Sequence, residues 1–427
     1  MGICLRRVAT LALCAVTAAC SSSTAGESPG QGEDSGPGLG APEGGVDATV
    51  ADGSSATDAT VVEDAPSEAA PGEAGFDSGV TGCTLDNYGE STELRCTGLY
   101  ADWQGRTIAA GITEYDPGLH LWSDGASKTR WVYLPPGSTI DTSDMDEWQF
   151  PNGTRFWKQF VVDGVLIETR MIHKLAASPD AGPYTGSWYL TTYQWSADQT
   201  STSELTVGAM NVNDAGYEIP SQAKCGQCHF GREDDVMGFE AVSLSSPDAG
   251  GLPMQTLIAK GLLSDPPDAA LTIPGDPTQA AALGYLHANC GVPCHNTGGG
   301  EANSTGFHMR LEVDQLGSVE STDTYTTGWG KPTTEFQIPG DPSTKRIAQC
   351  DAPQSCVYYR MDHRDLWSDA GVDLTIPPVQ MPLIDSHQSD PTGLGLVAAW
   401  INEGCDASVP LDASFGPDAG SADAAGD

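Results

Sequence analysis

Two clusters of cysteine and histidine carry the chemistry that can be read from this chain. Cys225-Gly226-Gln227-Cys228-His229 sets two thiols three residues apart, with an imidazole directly after the second. On one helical turn that spacing offers both sulfurs to the two vinyl groups along one edge of a haem, and His229 to the iron. Thioether bonds would then hold the group without a large enclosing pocket. A thioredoxin-like CxxC needs a βαβ context that the flanking sequence lacks. Zinc would need Cys225 and Cys228 to join Cys290 and Cys294, a long separation for a zinc module.

The second cluster, Cys290-Gly291-Val292-Pro293-Cys294-His295, has three residues between its cysteines instead of two. It is read as a second covalent haem site with His295 on the iron. Met381, in Met381-Pro382 ahead of the closing helix, is the expected sixth ligand, because a thioether from a loop before the last helix is the usual sixth ligand of a His/Met haem; it raises the potential relative to a second histidine. The first site has no obvious sixth ligand. Met237 and Met254 follow it at short range, and His120, His173, His287 and His308 lie elsewhere. His287 and His308 are read as surface or hydrogen-bonded residues. An iron left open would admit a small molecule or peroxidase-like chemistry.

The elements that must position these groups change character near residue 210. From 83 to 210 the pattern is β, with Asp163-Gly164 as a two-residue hairpin turn and Asn152-Gly153 as another. Seven of the ten tryptophans fall there: Trp103, Trp122, Trp131, Trp148, Trp157, Trp188 and Trp195. They read as the core of a sandwich-like domain rather than as an aromatic platform for a sugar. Residues 211–270 carry the first haem motif and 271–408 a mainly α, cytochrome c-like domain, so the class is α+β multidomain. Asp276-Pro277-Thr278 and Asp390-Pro391-Thr392 each open a helix with an acidic N-cap and proline in the first turn. The string Ile-Pro-Gly-Asp-Pro at 273–277 and 338–342 reads as a reused turn-and-cap device.

Arg6, Arg7 and the apolar run Val8–Ala19 form a signal peptide too short to span a bilayer. The ending Thr17-Ala18-Ala19-Cys20 suggests a lipoprotein, with Cys20 lipidated and tethering the mature chain to a membrane. Residues 21–82 and 409–427 are poor in apolar and aromatic residues and read as a disordered tether and an acidic tail. With 19 Lys+Arg against 58 Asp+Glu, a net charge of −39, nucleic acid is excluded as a partner. Outside the signal region nine cysteines remain. Cys83/Cys96 and Cys350/Cys356 suit disulfides in an oxidising compartment. Cys405 is left over, unless Cys294 alone forms a thioether and Cys290 pairs with Cys405.

Between residues 112 and 404 the chain resembles a family of bacterial dihaem c-type cytochromes of largely uncharacterised role, with a β-rich front half and a cytochrome half. The likeness rests on Leu121-Trp122-Ser123-Asp124-Gly125-Ala126, Lys128, Arg130 and Leu134-Pro135-Pro136-Gly137. It continues in Phe150-Pro151-Asn152-Gly153-Thr154, Ile167-Glu168-Thr169-Arg170 and the stretch from Tyr193 to Thr200. Around the motifs it rests on Ile219-Pro220-Ser221 and Tyr285-Leu286-His287-Ala288-Asn289-Cys290. Beyond them come Asn303-Ser304-Thr305-Gly306, Pro339-Gly340-Asp341-Pro342, Tyr359-Arg360-Met361 and Gln380-Met381-Pro382. The family has C-x-x-C-H at its second site, from which this chain departs by one residue. The resemblance implies electron transfer with a redox partner protein in the periplasm or at the outer membrane, and no defined substrate. Two rivals stand beside it: a dihaem peroxidase or oxidase, and a glycan-binding surface lipoprotein whose cysteines are structural.

Overall fold

A computed structural model describes residues 80–177, 183, 185–212, 216–364, 379–383 and 386–405. All belong to one compact unit, Pro71–Asp427. The signal sequence with Cys20, nearly all of the 21–82 tether and the 409–427 tail lie outside the described residues.

The alternating, aromatic-rich stretches of the front half form strands. After the short pair β1 (Tyr100–Asp102) and β2 (Thr107–Ile108) come β3 (Ile112–Tyr115), β4 (Ser127–Tyr133), β5 (Arg155–Val162), β6 (Val165–Leu175), β7 (Ser187–Trp195) and β8 (Thr202–Glu204). These last six make one antiparallel sheet in simple sequence order. The pair β9 (Ala209–Val212) and β10 (Tyr217–Ile219) closes the β-rich part. Asp163 and Gly164 both take positive φ at the tip between β5 and β6, as a two-residue hairpin turn requires.

The β-rich front half is present, but not as two broad layers: among the described residues one six-stranded sheet is joined only by two-stranded pairs, β1–β2 packing near Trp131 and Trp157 and β9–β10 near Phe160 and Ile167. The reason lies in how its two faces are covered. Trp131, Trp157 and Met171, paired across β4, β5 and β6, face Leu94, Leu99 and Tyr100. Their neighbours Val132, Phe156 and Ile172 point the other way, onto Val236, Phe239, Leu244, Met254 and Leu257. Aromatic residues suited to a full second sheet are thus covered by a short turn and the β1–β2 pair on one side, and by the segment after the first cysteine motif on the other. Trp131, Trp148, Trp157 and Trp195 are core residues, and Trp103 stacks on Trp195 at 5.3 Å.

The helical half contains α1 (Cys225–His229), α2 (Ala241–Ser245), α3 (Met254–Ala259), α4 (Pro277–Leu286), α5 (Asp323–Gly328), α6 (Cys356–Asp362) and α7 (Pro391–Ile401). Asp276 accepts from Thr278 and Gln279, completing a capping box on α4, and Asp390 accepts from Thr392 on α7. The second Ile-Pro-Gly-Asp-Pro string makes the same left-handed glycine turn, with Gly275 at φ 101° and Gly340 at φ 87°, yet starts no helix. Leu283 and Leu286 of α4 pack with Val397, Trp400 and Ile401 of α7 over Phe307, Met309 and Ile347. No helix among the described residues is long and apolar enough to cross a membrane.

Two disulfides staple this unit. Cys83–Cys96 is as expected. Cys350 pairs with Cys405, correcting both the Cys350/Cys356 pairing and the Cys290/Cys405 alternative. Packing of α7 decides it: Cys350 N–H donates to Ile401 O (3.0 Å), which brings the end of that helix to Cys350. Cys356 instead heads α6, where burial pushes its thiol up to about 11.

Candidate functional site

His229 ends the short helix α1. Its Nδ1 lies 2.6 Å from the backbone oxygen of Asp235, so Nδ1–H donates there and the Nε2 lone pair is left to a ligand. His295 repeats the arrangement with a different partner, Nδ1 standing 2.9 Å from Phe307 O and the ring edge-on to Phe307. A carbonyl behind a histidine is the support that fixes tautomer and ring orientation in metal-ligating imidazoles. Burial is the main cause that lowers both rings, each to about 4, so neutral, coordinating imidazole is the favoured form.

The second motif shows how one extra residue is accommodated. Directly after α4 the chain enters a π-helical turn, His287–Gly291. Val292 N–H donates to His287 O and His295 N–H to Cys290 O, both at 2.8 Å and both spanning five residues. A π turn takes about one residue more per revolution than an α turn. The added residue between Cys290 and Cys294 is therefore absorbed by winding, and Cys294 and His295 return to the side of Cys290. Gly291 permits this, because a Cβ there would lie 2.3 Å from Arg310 N and 2.4 Å from Met309 C.

The four cysteines of the motifs are outside any disulfide. Burial pushes Cys290 up to about 12. A hydrogen bond with the Cys228 thiol outweighs burial and holds Cys294 below the ordinary thiol range. Cys294 Sγ also lies 3.9 Å from Gln227 O, so the two motifs abut. Among the described residues no three of His, Cys, Asp and Glu converge on a point that would hold a metal ion. A c-type haem asks less: one histidine per iron and two thiols at the rim, which each motif carries.

The front half grips this region. Asn289, just before Cys290, accepts from Trp122 N (2.6 Å) and donates to His120 O (2.9 Å). Asp124 accepts from the amides of His387 and Gln388. The Leu121–Ala126 string is thus a bracket between the second motif and the segment before α7. Glu240 caps α2 through Val242 and Ser243 and receives His287 Nε2 at 3.3 Å. Burial opposes the Glu240 carboxylate, but His287, Arg232 and Ser243 more than offset it and hold it well below the usual range. His287 Nδ1 accepts from Leu311 N–H (2.9 Å), so both its nitrogens are used and it is a structural residue, as expected.

His308 departs from expectation. Its Nε2 is buried without a hydrogen-bond partner, and its ring lies near enough to His295 to act on it. No sequence signal singles it out, because its value comes from the turn that brings Phe307 O to His295. Met381 is half-buried, its N–H donating to Arg360 O (2.7 Å) and its carbonyl accepting from Arg364 (3.0 Å). Arg360 also acts on His295, so the Met381 loop and His308 are the two candidates near the second site. At the first, Met254 is a core residue, whereas Met237 lines a cavity against the sheet. Comparison of the chain with protein-family models, curated proteins and solved structures finds no match.

Proposed function

We propose that the protein is an exported c-type cytochrome that holds one haem at Cys225, Cys228 and His229 and a second at Cys290, Cys294 and His295, and passes single electrons between partner proteins. The observation that carries the reading is the matched support of the two histidines. Each gives Nδ1–H to a backbone carbonyl and keeps Nε2 available, directly beside a pair of thiols outside any disulfide. When bound, haem supplies reversible one-electron redox chemistry. The chain's own part is to hold each imidazole neutral and oriented, to present thiols from a helical turn, and to bury the second site under Phe307 and the α4–α7 core. The abutting Cys228 and Cys294 favour exchange between the two sites over isolated function. Two disulfides support an oxidising compartment, in keeping with export and with the lipid anchor proposed at Cys20.

The test is intact mass and a pyridine haemochrome spectrum on protein matured with the haem-attachment machinery of the bacterial periplasm. Two covalent haems are expected, one lost on Cys225→Ala/Cys228→Ala and the other on Cys290→Ala/Cys294→Ala. Absence of haem, with Cys228 and Cys294 found cross-linked in peptide maps, overturns the proposal.

A further inference from the structure

We propose that Arg130 and Lys158 form a binding site for a carboxylate in the cavity that the sheet makes with the segment after the first cysteine motif and with the start of the second. The two residues are direct cross-strand neighbours on β4 and β5, and Arg170 of β6 stands next in the same row. Like charges set opposite one another weaken a sheet. The row lies on the face that Val132, Phe156 and Ile172 turn toward the helical half, so it is not a solvated edge.

Other cations of this face are answered. Arg170 makes a two-pronged pair with the buried Glu168, Lys174 meets Asp234, and Lys128 donates to Leu121 O. Arg130 and Lys158 are not. Arg130 is 6 % exposed, yet among the described residues its guanidinium makes no hydrogen bond or ion pair. The carboxylate that acts on it, Asp116, instead holds Gly118 N–H and His120. Lys158 has the ring of Phe160, 5.2 Å away, and the pull of Glu168, whose carboxylate is already held by Arg170 and Tyr217. A guanidinium buried without an anion is costly. Burial first, then Arg130, Lys128 and Arg170, drive Lys158 well below the usual lysine range, a penalty that an anion would relieve.

Both side chains line one cavity, with Met237, Ser243, Ala288 and Val292 on its other walls. Its volume is ≈ 30 Å³. A water needs about 10–15 Å³ on that measure, so the space suits a carboxylate head and not a whole cofactor. Two sources offer such a group: a propionate of the haem held at the first motif, or a free small carboxylate. Lys158 and Arg170 both act on His229, which sets the first motif beside the row. The propionate source rests on the haem reading above.

The experiment compares the full-length matured protein with Arg130→Met and Lys158→Met, haem being counted by intact mass in each. Redox titration of the first haem and melting with sodium formate are then the readouts. If a propionate fills the site, Arg130→Met lowers the first haem's midpoint potential, because an unanswered propionate favours ferric iron, and formate does nothing. If a free carboxylate fills it, formate raises the melting temperature of the wild type and not of the variants, whatever the haem count. A wild type indifferent to formate and variants with an unchanged potential overturn the proposal. Should Arg130→Met fail to fold, Lys158→Met and Arg130→Lys carry the same comparison. A chain without haem removes the propionate source alone and leaves the formate arm to decide.

Discussion

The two cysteine motifs reach the same arrangement of sulfur and imidazole by different means. The first is local: Cys225–His229 is a short helix with no fully buried residue, next to the exposed Phe230, and only the carbonyl of Asp235 fixes its histidine. The second is tertiary: a π turn, a glycine pressed against Met309 and Arg310, and a carbonyl twelve residues on, all set in the α4–α7 core. The difference teaches that one extra residue between two cysteines can be taken up by a change in helix winding. A motif supported by local sequence tolerates damage to the core, and a motif supported by the core does not.

Gly291→Ala is the sharpest way to break this comparison. Its Cβ would meet backbone that has no room to yield, an overpacking that costs about 3 kcal/mol. Haem should be lost from the second site and retained at the first, as intact mass will show; equal loss at both sites would deny the distinction.

Acid offers a test in which the two motifs should agree. In haem-free protein both histidines have folded values near 4, below the ordinary histidine value. The unfolded chain therefore binds more protons between about pH 6.5 and 4. Stability is fully present above that window and falls as pH drops through it, by about 1.4 kcal/mol per unit for each histidine. Denaturant midpoints across this range should flatten equally in His229→Gln and His295→Gln.

The smallest effect is reserved for a cap. Asp390→Ala removes the acceptor for Thr392 N–H at the start of α7 and should cost about 1 kcal/mol. Its trace should appear as a lower melting temperature with both haems retained.

What could be read from the sequence was what depends on neighbours in the chain. The Asp276 and Asp390 caps, the Asp163-Gly164 turn and the first motif are all local devices, and each stands where spacing put it. The Cys350–Cys405 disulfide was not legible, because it depends on where α7 docks, and nearness along the chain favoured Cys356 instead. The expected sandwich gives way to one six-stranded sheet with two small strand pairs for a related reason. Alternating aromatic residues announce that both faces are covered, but not whether a sheet, a loop or a helix covers them. His308 and Arg130 were named from the sequence without the roles given them here, and Lys158 gave no signal, since their interest lies in what the fold sets around them.

The Cys350–Cys405 bond makes a covalent loop of the chain from α6 through Met381 to α7. A protease cutting anywhere inside that loop would not release the severed piece. Met381 and its arginine contacts would stay fastened to the body, and the nick would pass unnoticed until a reductant separated the two fragments. The last disulfide thus acts as insurance for the segment around Met381, keeping a wounded molecule whole.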